Sequence, residues 1–322
     1  MNQKDFTVVI THAIPKPGLE RLYEECNVYY PEHAPVYSDE ELMRILPECD
    51  AVLAGGALTR EMIQCAKRLR IISNYGAGYD RVDVDAADEA GVIVTNIPDS
   101  TSYSTAELAF VLMLTACRRI AELDRMLRTQ PSRNAFGMGK HMGHNLAGAT
   151  LGIVGMGRIG QTLANMAKAF GMKVIYHNRR KAEGMEADWR TLDDLLAEAD
   201  IVSLNCPLTD ETRGLIGKAQ FDQMKTGAVL VNTARGGVVD TGALIEALRN
   251  GKLGGAGIDV YPNEPEVPEE LKAFENVVLT PHIGTNTHEA RKGMAAAAAE
   301  RILTVRDGKT PENIVNRNLR NA

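Results

Sequence analysis

Arg235, Glu264 and His282 lie far apart in the chain, yet each follows a short apolar run of the kind that forms a strand: residues 228–232, 255–260 and 277–280. In an open parallel α/β sheet, ligands bind outside the carboxyl ends of the strands. One edge of such a sheet would then present a guanidinium, a carboxylate and an imidazole. A guanidinium fork grips carboxylate and carbonyl oxygens, and an imidazolium donates a proton to a developing alkoxide. A carboxylate beside the imidazole stabilises its charged form. The chemistry that suits this set is hydride transfer to a small carbonyl compound bearing a carboxylate.

A hydride needs a carrier, and residues 155–160 read Gly-Met-Gly-Arg-Ile-Gly directly after the strand-like run 150–154. Gly155 permits a tight turn, Gly157 lets backbone approach a pyrophosphate, and Gly160 lets a helix pack close to the strand. Arg158 and Ile159, within the turn, would lie against the cofactor, and the helix that follows offers N-terminal N–H groups and a dipole that favour phosphate. Alone, this glycine spacing is a weak signal. Here a strand precedes it, a helical stretch (161–170) follows, and a second strand (172–176) comes next, which is the context the dinucleotide fingerprint requires.

The second strand ends His177-Asn178-Arg179-Arg180-Lys181. An acid at this end would bond a ribose 2′-hydroxyl, as in NAD sites. Asn178 stands in its place, and Arg179 and Arg180 can bind a 2′-phosphate bidentately. The expected cofactor is NADP(H), with NAD(H) still possible, and the plainer alternative is a solvated basic turn.

The elements that must position these residues alternate along the chain. Runs at 7–10, 51–54, 70–73 and 92–95 suit strands covered on both faces. Ser38-Asp39-Glu40-Glu41 reads as a capping box opening a helix. Residues 96–100 (Asn-Ile-Pro-Asp-Ser) break the pattern, as proline biases its neighbour away from helix. A long helix is expected from about Thr105 to about Met126, then loop over 129–147. Six strands follow, at 150–154, 173–176, 201–204, 228–231, 256–260 and 277–280, matching a doubly wound nucleotide-binding sheet. A final helix from Thr287 is expected to return to the first domain. The expected division is therefore 1–99 and 286–322 for one α/β domain, and 100–285 for the dinucleotide-binding one.

Bulk properties narrow the classes. A net charge of −6 over 322 residues gives no basic field for nucleic acid, and six Phe with one Trp leave little for base stacking. No apolar run has membrane-spanning length, and residues 1–5 lack the apolar core of a signal peptide. The five cysteines, Cys26, Cys49, Cys65, Cys117 and Cys206, form no Cys-x-x-Cys pair, which suits free thiols in a reducing cytoplasm. His141 and His144 have His-x-x-His spacing but no nearby acidic or Cys ligand, so no metal site is expected.

Four segments together resemble the D-isomer-specific 2-hydroxyacid dehydrogenases: residues 151–160, Asn232-Thr233-Ala234-Arg235-Gly236, Asp259 through Pro265, and Thr280-Pro281-His282-Ile283-Gly284. The resemblance covers nearly the whole chain. Asn178-Arg179-Arg180 makes it similar to the NADPH-preferring glyoxylate, hydroxypyruvate and hydroxyphenylpyruvate reductases. It implies a flavodoxin-like substrate domain with a Rossmann-type nucleotide domain inserted in it, an active site in the cleft between them, and a homodimer. It further implies that His282 is the general acid, that Glu264 tunes it, and that Arg235 binds carboxylate and carbonyl. Tyr75-Gly76-Ala77-Gly78 resembles the loop whose amides hold the substrate carboxylate, and Asp259 the residue near the nicotinamide amide. Cys206, Pro207, Thr212, Thr233, Ala234 and Gly284 would line the cofactor groove, with Thr105 near its phosphates or ribose. The 129–147 stretch resembles a dimer arm, which would carry a histidine toward the partner's cleft. Two other activities use this scaffold, nucleotide-sensing corepression and formate or phosphite oxidation. Which small 2-oxo acid fits is not legible in the letters.

Overall fold

The computed structural model describes residues 5–129, 136–182, 184, 186–316 and 318–319. The chain divides into two compact units, Met1–Thr101 with Thr285–Ala322, and Ser102–Gly284.

The first unit is built on five parallel strands: β1 (Thr7–Ile10), β2 (Asn27–Tyr29), β3 (Ala51–Ala54), β4 (Ile71–Asn74) and β5 (Ile93–Thr95). Their order is β2-β1-β3-β4-β5, the flavodoxin-like arrangement. Alternate residues supply two cores, as a two-residue period demands. Val8, Ile10, Ala51, Leu53 and Ile71 face one core, and Val9, Val52, Ala54 and Ile72 face the other. The first core is closed by the helix His288–Arg306 through Met294, Ala295, Ala298, Ala299 and Ile302. Its alanines allow close approach, and Ser73 Oγ donates to the Ala298 carbonyl at 3.0 Å.

The second unit carries seven parallel strands: β6 (Thr150–Val154), β7 (Lys173–His177), β8 (Asp188–Trp189), β9 (Ile201–Leu204), β10 (Ala228–Asn232), β11 (Leu253–Ile258) and β12 (Val277–Leu279). The order is β12-β11-β10-β9-β6-β7-β8. This is the Rossmann 3-2-1-4-5-6 order with one further strand beyond the sixth, and it reverses between β6 and β9. Here too successive residues of β10 alternate between cores: Ala228 and Leu230 on one face, Val229 and Val231 on the other.

The structure corrects the sequence expectation in three places. The edge strands β2 and β8 were not expected. They have three and two residues with half-exposed patterns, so neither forms an apolar run. The single long helix is two, Ser102–Cys117 and Ile120–Thr129. It breaks because the Cys117 carbonyl accepts from the His144 amide at 2.9 Å, a partner remote in sequence, while Arg119 turns to φ 56°. The second of these helices also extends into the start of the stretch expected as loop. Residues 130–135 of that stretch lie outside the described residues.

Candidate active site

The glycine turn after β6 is fixed by contact. Gly155 has φ 100°, and a Cβ there would lie 2.6 Å from the Cys206 nitrogen. A Cβ on Gly160 would lie 2.4 Å from the Gly155 carbonyl oxygen, whereas one on Gly157 would meet nothing within 4 Å. The turn therefore presents open backbone at the N-terminus of the helix Arg158–Ala169, whose N-cap, Gly157, offers no side-chain acceptor. At the ends of β9 and β10, Asn205 Oδ1 and Thr233 Oγ1 are buried with no hydrogen-bond partner among the described residues. A helix N-terminus, open glycine backbone and two orphaned polar atoms at the point where strand order reverses are what a dinucleotide requires.

Asn178 closes the turn from the next strand. Its Oδ1 accepts the Met156 amide at 2.7 Å, and its carbonyl accepts the Trp189 indole N–H at 3.1 Å. Arg179 pairs with Glu211 at 2.6 Å, both largely exposed. An exposed pair of this kind is worth little and is readily exchanged for another anion.

The catalytic candidates stand on three loops after β10, β11 and β12. After β10, the buried Asn232 folds the chain back. Its Nδ2 donates to the Arg235 carbonyl at 3.0 Å, and its Oδ1 accepts from the Ala234 amide at 3.0 Å. Arg235 Nη1 donates to the Ala234 carbonyl at 2.9 Å. The next residue must be glycine, because a Cβ on Gly236 would sit 2.0 Å from the Tyr261 carbonyl carbon. The Arg235 loop is thereby pressed against the loop that carries Glu264.

His282 Nδ1 lies 2.8 Å from Glu264 Oε2. The Glu264 side chain is largely buried, and its Oε1 accepts the Tyr261 amide at 3.2 Å. The His282 side chain keeps 45% of its surface exposed. With Nδ1 engaged by a carboxylate, Nδ1 carries hydrogen and Nε2 is left for chemistry. His282 has φ 52°, a left-handed conformation that costs a non-glycine residue about 1–2 kcal/mol. Asp259 holds it there. The Asp259 carbonyl accepts the His282 amide at 2.9 Å, Oδ1 accepts from the Ile283 amide (2.8 Å) and the Thr280 hydroxyl (2.7 Å), and Oδ2 accepts the Gly284 amide at 3.0 Å. Burial pushes the Asp259 carboxyl upward, and these donors oppose that rise.

In the first unit, residues 76–78 follow β4. Asn74 Nδ2 donates to the carbonyls of Gly76 (3.0 Å) and Gly78 (2.9 Å), and Asn96 Nδ2 donates to that of Ala77 (2.7 Å). The Tyr75 hydroxyl donates to the Arg291 carbonyl at 3.0 Å.

Residues 110–284 match the NAD binding domain of the D-isomer specific 2-hydroxyacid dehydrogenases. The chain belongs to that family. A glyoxylate reductase of Thermococcus litoralis is 43% identical over 324 residues, covering 97% of each chain. Another, of Pyrococcus horikoshii, is 40% identical with 96% of each chain covered. Among solved structures, the NADPH-dependent glyoxylate/hydroxypyruvate reductase of Sinorhizobium meliloti, in complex with NADP and malonate, has a TM-score of 0.86 at 30% identity over 96% of both chains. A protein of Thermus thermophilus gives a TM-score of 0.89 at 40% identity, covering 96% of this chain and 100% of that one.

Other residues singled out from sequence have definite places in this family member. Thr212 Oγ1 donates to the Pro207 carbonyl at 2.6 Å and accepts the Thr209 amide at 2.8 Å, closing the turn after Cys206. Burial pushes the Cys206 thiol up to about 11, so it stays protonated at neutral pH. Thr105 is buried beside Gly284, where a Cβ would come within 3.4 Å of its side chain. His141 adopts φ 55°, and among the described residues no group of three or more His, Cys, Asp or Glu could hold a metal. No helix among them is long and apolar enough to cross a membrane.

Sequence reasoning gave no role to the asparagines that bond the loop backbones, Asn74, Asn96 and Asn232. The signal available was an asparagine at a strand end, a position where a side-chain amide can replace backbone partners.

Proposed function

We propose that the protein is a reductase of small 2-oxo acids, forming the D-2-hydroxy acid and preferring NADPH over NADH. The observation that carries this reading is His282 held at 2.8 Å by Glu264 with its ring half exposed, on loops adjoining that of Arg235. The glyoxylate reductases named above support the substrate class. Gly155, Gly157, Gly160 and the amides at the start of the helix Arg158–Ala169 would hold the pyrophosphate, Arg179 and Arg180 the 2′-phosphate, and Asn205 and Thr233 the nicotinamide end. When bound, the reduced nicotinamide supplies the hydride.

This chain's own residues do the rest. Arg235 binds the substrate carboxylate and polarises the carbonyl. In the first unit, the amides of Ala77, Gly78 and Tyr79 form an anion nest that suits a carboxylate. His282, as imidazolium, gives its Nε2 proton to the carbonyl oxygen while the carbonyl carbon gains the hydride, so a C=O bond becomes CH–OH. Glu264 keeps Nδ1–H in place before and after transfer.

The test is loss of NADPH absorbance with glyoxylate, hydroxypyruvate, pyruvate and phenylpyruvate, repeated with NADH. We expect turnover with at least one of these acids and a higher kcat/KM for NADPH. Replacing Arg179 and Arg180 together by Ala lowers kcat/KM for NADPH by roughly tenfold or more, on the scale of a lost charge-assisted hydrogen bond, and leaves NADH almost untouched. A wild-type enzyme that prefers NADH overturns the cofactor assignment.

We also propose that a second copy of the chain covers exposed apolar side chains of the helix Ile120–Thr129 and of residues 136–142. Ile120, Leu127, Phe136, Met138 and Met142 are all strongly exposed there, Phe136 at 75% and Met138 fully. Large apolar side chains left exposed this often within one stretch of chain suit an interaction site. Sedimentation should give a dimer, and Phe136→Glu with Met138→Glu should give a monomer. A monomeric wild type removes the proposal.

A further inference from the structure

We propose that Asn74 and Asn96 are positioning residues which aim three backbone amides, those of Ala77, Gly78 and Tyr79, at a ligand carboxylate. The argument begins with the peptide bond. It is planar and trans, so fixing the carbonyl of one residue turns the N–H of the next the opposite way. Asn74 Nδ2 takes the carbonyls of Gly76 and Gly78, and Asn96 Nδ2 takes that of Ala77 between them. Three consecutive carbonyls are thus pulled toward two side-chain amides. The Ile97 amide also donates to the Gly76 carbonyl, at 3.1 Å. The amides of Ala77, Gly78 and Tyr79 point away from this clamp, and among the described residues none of the three has a hydrogen-bond acceptor.

The clamp depends on the amide rather than on its shape. Asn74 faces two acceptors and uses both hydrogens of its NH₂ group, and Asn74 is buried. An oxygen in the same position would oppose two carbonyl oxygens. The near-isosteric Asn74→Asp therefore reverses the clamp with almost no change in volume. Asn96→Asp reverses only the Ala77 bond, at a half-buried side chain.

The kinetic readout rests on the 2-oxo acid reductase reading, and the binding readout does not. Each variant is assayed for kcat, for KM of the 2-oxo acid and of NADPH, and for thermal midpoint. It is also titrated calorimetrically with oxamate, a carboxylate that mimics a 2-oxo acid and is not reduced. We expect Asn74→Asp to raise the 2-oxo acid KM and the oxamate Kd together by roughly tenfold or more, the scale of a lost hydrogen bond to a charged group. Asn96→Asp raises both by less. kcat and KM for NADPH stay near wild type. Acidification narrows the gap for both variants, because a protonated carboxyl regains a donor. A merely structural role would move both KM values and the thermal midpoint together, and that result overturns the proposal. Wild-type oxamate affinity in a folded variant also overturns it, as does a wild-type protein that binds no oxamate. If Asn74→Asp does not fold, Asn96→Asp decides by the same readings. If wild type binds oxamate but reduces no 2-oxo acid, the activity reading falls, while the oxamate series still decides the clamp.

Discussion

Replacing His282 should lower kcat for 2-oxo acid reduction by about 10²–10⁴, the usual contribution of a positioned general acid, while NADPH still binds. His282→Ala is the direct variant, but His282 sits at φ 52°, where alanine is strained. Asparagine visits that region more readily, so His282→Asn removes the acid while sparing the backbone. The four bonds from Asp259 to residues 280–284 should hold the loop in either case. Glu264→Gln removes the carboxylate that fixes the ring through Nδ1 at 2.8 Å, so kcat should fall there as well. Near wild-type turnover in both His282 variants would show that another group supplies the proton.

The turn and the strands that carry the candidate residues were more legible in sequence than the side chains that brace their loops. The glycine turn could be read because its requirements are local: a strand, a reversal and a helix within one short stretch. The ends of β10, β11 and β12 were legible because buried parallel strands are apolar runs and active residues follow them. The helix break at Arg119 was not, since its cause is a hydrogen bond from His144 to the Cys117 carbonyl. β2 and β8 were missed because edge strands need no continuous apolar run. Asp259 shows the limit best. Nothing in the letters shows that its carboxylate takes three donors from the loop that holds His282 in a strained conformation. Asn232 is similar, because an asparagine ending a strand gives no hint that it folds the Arg235 loop.

That loop carries the other large expected effect. Arg235→Ala should cost about three orders of magnitude in kcat/KM for the 2-oxo acid, since a single lost donor to a developing oxyanion costs about 10²–10³ and the carboxylate loses its counter-charge as well. Arg235→Lys keeps the charge but loses the planar fork, so it falls between wild type and Ala. Folding should survive both changes. The loop is shaped by Asn232, whose amide spans the Ala234 N–H and the Arg235 carbonyl, and by the Gly236 contact with Tyr261 and Pro262. Neither depends on the guanidinium. Added guanidinium should therefore restore part of the Arg235→Ala activity, which it could not do if the loop had collapsed. The loss should appear in kcat as well as in KM, because Arg235 acts on the carbonyl as charge develops and not on the bound carboxylate alone. An Arg235→Ala enzyme with wild-type kcat/KM would remove the cation from the reaction and leave His282 and Glu264 without a group to orient the substrate.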